Sequence, residues 1–263
     1  MKTKIASVTA LVLAFTTLQI PLQAHAWAKR GHQIVAEIAE ANLSPAAKTK
    51  VSKLLALEGK LKLSSISSWA DSIRGTTSPR QPMHSVRIPT TATSYNPSRD
   101  CIGNNCILVA IAGNISDLAS KDSTDETKLM ALKYLTHFVA DLHQPLHATK
   151  DTGQRLVILD GQAKTLHAVW DKDLVECAIQ PSKADWDHQA NSKTASPYGG
   201  NPEQWAMESH DIARDVLFKN LHDLQGDPIT LPSSYCLDNA SLVRSRLEIA
   251  GIRLADLLNT TLN

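Results

Sequence analysis

The 263-residue sequence has no dominant charge. Lysine and arginine number 27 against 26 acidic residues, leaving a formal net charge of +1. Broad electrostatic wrapping of duplex nucleic acid needs a strongly basic surface, so that role is not expected. An anionic substrate would have to be attracted locally, for instance by bound metal ions. A long apolar run is missing as well. The N-terminal stretch around ALVLAF is short and broken by Thr, Gln and Pro21, too short to span a membrane. Internal repeats and low-complexity tracts are absent, which argues against a solenoid or a disordered chain.

Cysteine is scarce: Cys101, Cys106, Cys177 and Cys236 are all there are. An even count in an exported chain favours disulfides. Cys101 and Cys106 bracket the short loop CIGNNC and are expected to pair, which leaves Cys177–Cys236 by default. Zinc binding by CIGNNC is disfavoured because no second Cys or His pair lies near it in sequence. Four buried free thiols would be the alternative in a reducing compartment.

What is present at the N-terminus is a leader pattern. Lys2 and Lys4 precede a short apolar stretch, and Ala24-His25-Ala26 is an A-x-A cleavage site. The expectation is a signal peptide over 1–26 and a mature domain over 27–263 beginning at Trp27, secreted or periplasmic. An uncleaved anchor is the alternative that the A-x-A disfavours. Removing the leader takes away two lysines and no acids, so the mature charge becomes −1.

The pattern is mainly helical. Residues 32–42 place Ile34, Val35, Ile38 and Ala39 at 3–4 spacing. Ser44-Pro45 is an N-cap followed by a first-turn proline, opening a helix through 57. A short helix around SSWADSIRG should end at Gly75, and 76–105 should be irregular. A long helix begins near Ser123 or Thr124, with Asp125 and Glu126 in its first turn. Its apolar stripe is Leu129, Leu132, Leu135, Val139 and Leu142. Residues 154–160 read as the one good strand, with HAVWD a candidate partner in a small β-hairpin. Residues 181–201 are loop-rich, and helices are expected over 202–222 and 239–259.

The chemistry concentrates in HFVADLHQPLH. His137 and Asp141 are four apart and share a helical face, a spacing that lets both hold one metal ion. Pro145 must break the helix, which allows His147 to turn back toward that face. His143 lies about 200° around the helix from Asp141 and points away, toward a supporting hydrogen bond. In LHAVWD, His167 and Asp171 repeat the spacing. Asp71 in SSWADSIR and His84 in QPMHS add weaker candidates. The new terminus in WAKRGH offers the Trp27 α-amine and carbonyl as a chelating pair, with His32 about a turn further on. Nitrogen and carboxylate ligands without thiolates suit zinc, though manganese or iron would also fit. Nine ligands suit two or three ions if Asp141 bridges. Satisfied structural histidines are the bland alternative for any one of these, but less so for the set.

Together these motifs resemble the secreted zinc-dependent single-strand nucleases known from fungi, plants and bacteria. The resemblance rests on W-x4-H, W-A-D, an isolated His, H-F-x2-D-x-H-Q-P-L-H and H-x-V-W-D, and runs over essentially the whole mature chain. It implies a mainly α fold holding three zinc ions. Asp71, His84, His137 and Asp141 match the ligands of the first. His147, His167 and Asp171 match those of the second, and the Trp27 amine and carbonyl with His32 and Asp141 match those of the third. It implies cleavage of single-stranded RNA and DNA to 5′-phosphorylated products, together with removal of 3′-phosphates from nucleotides. A monomer without a stable protein partner or membrane association is the expectation for the mature chain. Asp71 is placed to orient or deprotonate the attacking water. Arg74, three residues on, is a candidate phosphate contact, with an exposed salt bridge as the equal alternative. The family commonly carries Gly-Gly-Asn where this chain has KDTGQRL. Gln154 stands where the base-binding Asn is expected, and Asp100 is a second candidate base contact.

Two other kinds of protein would fit much of the same ligand set. A secreted zinc phospholipase C has a similar fold and three zincs, but that family carries Glu where this chain has Asp171. A non-catalytic exported zinc-binding protein is the other.

Overall fold

The computed structural model describes residues 27–76, 82–180, 199–222 and 224–263. The expected leader and most of the loop-rich 181–201 stretch lie outside the described residues. Helices α1 (Lys29–Ala41) and α2 (Pro45–Ala56) form as their patterns dictate. Buried Ile34, Val35, Ile38 and Ala39 make the inner stripe of α1. The Ser44 hydroxyl accepts from Ala47 N at 3.1 Å, capping α2 ahead of Pro45. Two short helices, α3 (Trp69–Ser72) and α4 (Pro97–Asp100), punctuate the chain before α5 (Ile107–Ala119).

Helix α6 (Asp125–Leu142) is the centre of the molecule. Thr124 Oγ1 accepts from Thr127 N at 3.2 Å to start it. The sequence stripe suggests one apolar face, but every residue from Ala131 to Leu142 is buried. A helix enclosed on all sides must satisfy whatever polar groups it carries internally. His137 and Asp141 lie in that enclosed half, so the polar site is built into the core.

Strands β1 (Leu156–Leu159) and β2 (Gln162–Thr165) form an antiparallel hairpin. Its turn residues Asp160 and Gly161 have φ of 49° and 75°, the left-handed values a two-residue hairpin turn demands. A two-residue strand, β3 (Ile229–Thr230), adds parallel to β1. The expected partner HAVWD is therefore corrected. Thr165 Oγ1 accepts from Ala168 N at 3.1 Å and turns the chain into α7 (Leu166–Ala168). A wide, π-type turn over Val169–Asp173 then leads into α8 (Leu174–Ile179). Five residues are too few for period 2 and period 3.6 to separate, and the N-cap threonine decides.

Helix α9 (Pro202–Ile212) opens with a reciprocal capping box between Asn201 and Gln204 and continues through a second wide turn into α10 (Lys219–His222). Helix α11 (Tyr235–Thr261) closes the fold against α1. Both expected disulfides are formed. Cys101–Cys106 closes the CIGNNC turn, and Cys177–Cys236 ties α8 to α11. Among the described residues no helix is long and apolar enough to cross a membrane.

The α1–α11 contact hinges on Gly251. A Cβ there would sit 2.6 Å from Ile38 Cβ and 3.0 Å from the Val35 carbonyl oxygen. Gly251→Ala is expected to cost about 2 kcal/mol through overpacking, or roughly 4–8 °C in Tm for a domain of this size. Thermal unfolding checks it. An unchanged Tm would mean that the two helices can part at that point without cost.

Candidate metal centre

Seven segments converge on one buried cluster. Helix α1 presents His32, α3 presents Asp71, and α6 presents His137 and Asp141. His84 comes from extended chain, His147 from the turn that Pro145 imposes after α6, and His167 and Asp171 from α7 and the wide turn beyond it. His32, His137 and Asp141 are fully buried, and His147, His167 and Asp171 are each 3% exposed.

Within the cluster, Asp141 stands between imidazoles. Its Oδ2 lies 2.9 Å from His84 Nδ1 and 3.2 Å from His137 Nε2, while Oδ1 lies 3.3 Å from His32 Nε2. Asp71 Oδ1 is 3.6 Å from both His84 Nδ1 and His137 Nε2. Three groups of donor atoms draw close enough to hold an ion: His32, Asp71 and His137; His84, His137 and Asp141; and His147, His167 and Asp171. The first two share His137, so the ligand sets that the resemblance separates form one continuous lobe here. The third group is a second lobe. The two are joined where His147 Nδ1 donates to the His84 carbonyl at 2.6 Å.

Backbone carbonyls fix the tautomers. A carbonyl only accepts, so each ring nitrogen facing one carries the proton. His137 Nδ1 donates to the Ser67 carbonyl at 2.7 Å, and His167 Nδ1 to the Thr152 carbonyl at 2.6 Å. In the neutral rings this turns the Nε2 lone pairs inward. His147 Nε2 and His167 Nε2 then face each other at 3.1 Å. Two lone pairs at that distance repel unless something positive stands between them.

The charges carry the same strain. Burial pushes the Asp171 carboxyl well above its usual range, and the Asp141 and Asp71 charges add to the push. Burial also opposes ionisation of Asp141, yet His137, His84 and His32 hold it well below the usual carboxylate range. Burial disfavours a charged His137, but Asp141 and Asp71 raise it to about 10. Burial takes His147 down to about 3. Asp141 Oδ1 is buried without a hydrogen bond. A cation within the cluster would relieve the buried carboxylates and the facing lone pairs together. Nitrogen and oxygen donors without sulfur fit zinc among the first-row metals.

Supporting groups surround the cluster. Trp27 is fully buried, and its indole Nε1 donates to the Ala140 carbonyl at 2.9 Å. Ala28 N donates to the Asp171 carbonyl at 2.8 Å, so the chain at residues 27–28 is pinned between α6 and the wide turn. His143 turns away as its helical angle predicts. Its Nδ1 donates to the Val139 carbonyl at 2.7 Å, and its Nε2 accepts from Arg253 Nη1 at 2.9 Å. Gln144 is a residue the sequence reading missed. Fully buried, it donates from Nε2 to Asp171 Oδ1 at 2.6 Å. No charge or periodicity marks it, and its only signal is its place between His143 and Pro145. Gln144→Ala is expected to weaken metal binding about 10–100-fold by freeing the Asp171 carboxylate. Competition with a metal-sensitive dye would measure this, and unchanged affinity would mean that Asp171 needs no such support.

A groove of about 380 Å³ lies over the cluster, with His84, His147 and His167 in its lining. Arg74 also lines it and stands 3.6 Å from Asp71 Oδ1. Gln154 is among the residues that line the groove. Asp100 does not line it. Its carboxylate is buried and engaged, accepting from Arg99 Nε at 2.6 Å and from Asn96 N at 2.8 Å. That position holds a loop together, and the structure corrects the expected base contact there. A larger cavity of about 850 Å³ near Tyr95, Glu203 and Asp211 has none of the cluster residues in its lining.

A buried imidazole–carboxylate cluster at the floor of an open groove, in a mainly α fold, is a candidate metal-binding site. The chain belongs to the S1/P1 nuclease family, whose model matches residues 27–263. It is 32% identical to Nuclease P1 of Penicillium citrinum over 231 residues, 82% of this chain and 80% of that protein. It is 28% identical to Endonuclease 2 of Arabidopsis thaliana over 266 residues, 89% of this chain and 90% of that one. Endonuclease 4 of the same plant is 30% identical over 272 residues, covering 89% and 88%.

Proposed function

We propose that this chain is a zinc-dependent, single-strand-specific phosphodiesterase that hydrolyses RNA and DNA to 5′-phosphorylated products and removes 3′-phosphates from nucleotides. The two-lobed cluster beneath a nucleotide-sized groove carries the reading. Pockets for small ligands run from about 300 to 1,000 Å³, and the 380 Å³ groove falls in the part of that range that suits single nucleotide units better than a duplex.

Asp71, His84, His137 and Asp141 would hold one ion, and His147, His167 and Asp171 a second. His32 and Asp141, with the amine and carbonyl of a mature Trp27 terminus, would hold a third. When bound, zinc supplies Lewis-acid charge that activates water near neutral pH and stabilises negative charge on phosphoryl oxygens. The chain's own groups do the rest. Asp71, held down to about 2 by His137 against the pull of burial, stays an acceptor that orients the attacking water. Arg74 on the groove wall contacts the phosphate. Gln154 is the amide nearest in kind to a base-reading Asn. The protein acts as an exported monomer, matured at Trp27, without a stable protein partner.

Asp171 favours this reading over a zinc phospholipase C, which would carry Glu there. The open groove with Arg74 favours it over a non-catalytic zinc carrier. The test is to measure zinc per chain and then assay single-stranded RNA and DNA, a 3′-nucleotide and phosphatidylcholine. Turnover of the first three is expected. A fully metallated sample without nuclease or nucleotidase activity ends the proposal, and turnover of phosphatidylcholine alone would transfer it to the lipase reading.

A further inference from the structure

The groove wall beside the cluster carries a cation that the metal chemistry does not use. Residues 84–88 run extended from His84. Val86 N donates to the His147 carbonyl at 2.9 Å, and Lys150 N to the Ile88 carbonyl at 2.8 Å. On the other side Ile107 N donates to the Ser85 carbonyl at 3.2 Å, and Arg87 N to the Asp100 carbonyl at 3.2 Å. Side chains alternate along such a segment. Val86 and Ile88 are fully buried, so Ser85 and Arg87 take the opposite side, and both line the groove.

Arg87 is exposed, and its guanidinium has no ion pair with any described residue. Its backbone is fixed on both edges, so the charge is presented from a rigid support. Arg74, the other arginine of the groove, stands by Asp71 at the reacting centre. Arg87 lies three extended residues from His84, about 10 Å along the backbone. It lines the same groove as His84, His147 and His167, on a wall that also carries Ser85. A planar, permanently charged fork suits a phosphodiester oxygen pair.

We infer that Arg87 forms a subsite for the backbone phosphate next to the scissile one, and that it makes the enzyme favour polynucleotides over the shortest diester. This rests on the nuclease reading above. Arg87 is a specificity residue and takes no part in bond cleavage.

The experiment compares thymidylyl-thymidine, which contains only the scissile phosphate, with a single-stranded oligothymidylate of eight nucleotides. In zinc-loaded Arg87→Ala, the oligomer-to-dimer ratio of kcat/KM is expected to fall about tenfold, through KM on the oligomer. The slope of log kcat/KM against log salt for the oligomer should shrink by about 0.7, the share of one phosphate contact on a single strand. Arg87→Lys should restore most of the ratio, and Arg87→Glu should lower it below the Ala value. An unchanged ratio in Arg87→Ala, or equal losses on both substrates, overturns the inference. The second outcome would place Arg87 on the base or in the fold instead. Wild-type protein inactive on both substrates would instead overturn the nuclease reading itself, which keeps the two failures apart.

Discussion

Asp141→Asn is expected to lose bound zinc and about three orders of magnitude in nuclease rate. Both oxygens of Asp141 face imidazoles: His32 from one, His84 and His137 from the other. An amide keeps the shape but loses the negative charge, and its NH2 group has no lone pair to offer a metal, so one of the two faces of Asp141 stops being a ligand. The metal contribution to such chemistry is several kcal/mol, and each 1.4 kcal/mol is tenfold in rate. Metal analysis by mass spectrometry and initial rates on single-stranded DNA measure the two losses together. Breaking a buried charged cluster can cost about 3–5 kcal/mol in stability, so circular dichroism must show the variant folded. Asp141→Glu provides the companion variant, keeping the charge while displacing it by one methylene. If Asp141→Asn retains full zinc and full rate, the assignment of Asp141 as the shared ligand is wrong.

Chelation should lower thermal stability sharply. The cluster buries three carboxylate-linked groups of imidazoles in the centre of the fold, not at its edge. An ion that binds only the folded chain stabilises it by about 4 kcal/mol at a thousandfold excess over Kd. At about 2–4 °C per kcal/mol, losing even one such ion lowers Tm by roughly 10 °C, and losing several by more. Scanning calorimetry with and without a chelator, followed by zinc addition, measures it. A Tm that ignores the chelator while zinc leaves the protein would mean that the buried histidines are satisfied by one another.

The sequence shows most where its spacing is tied to helical geometry. His137 and Asp141 meet because four residues make one turn, and His143 diverges because two residues make a little over half a turn. Pro145 marks the break that carries His147 to His167. Other features carry no such signature. Helix α5, Ile107–Ala119, is apolar on most sides, so no stripe announces it. HAVWD is too short to declare its period, and it becomes helix because Thr165 caps it. Gln144 is a neutral amide whose importance lies in a carboxylate 27 residues away. Asp100 looks available as a loop acid until Arg99 folds back onto it. Arg87 sits in a stretch that reads as irregular, and only its pinned extended backbone gives it an orientation.

The closing turn of α6 is tied down by residues from across the chain. Trp27 holds the Ala140 carbonyl, Ser209 holds that of Leu142, and Arg246 holds that of His143. A change in α9 or α11, far from the groove in sequence, therefore reaches the donor atoms at the end of this helix. The wall that carries Ser85, Arg87, Thr152 and Gln154 is different, because its outward side chains stand on extended chain and loop. Substrate preference can thus be rewritten on that wall while the donor lattice beneath it stays in place. Attempts to exchange one metal for another will instead have to redesign much of the interior at once.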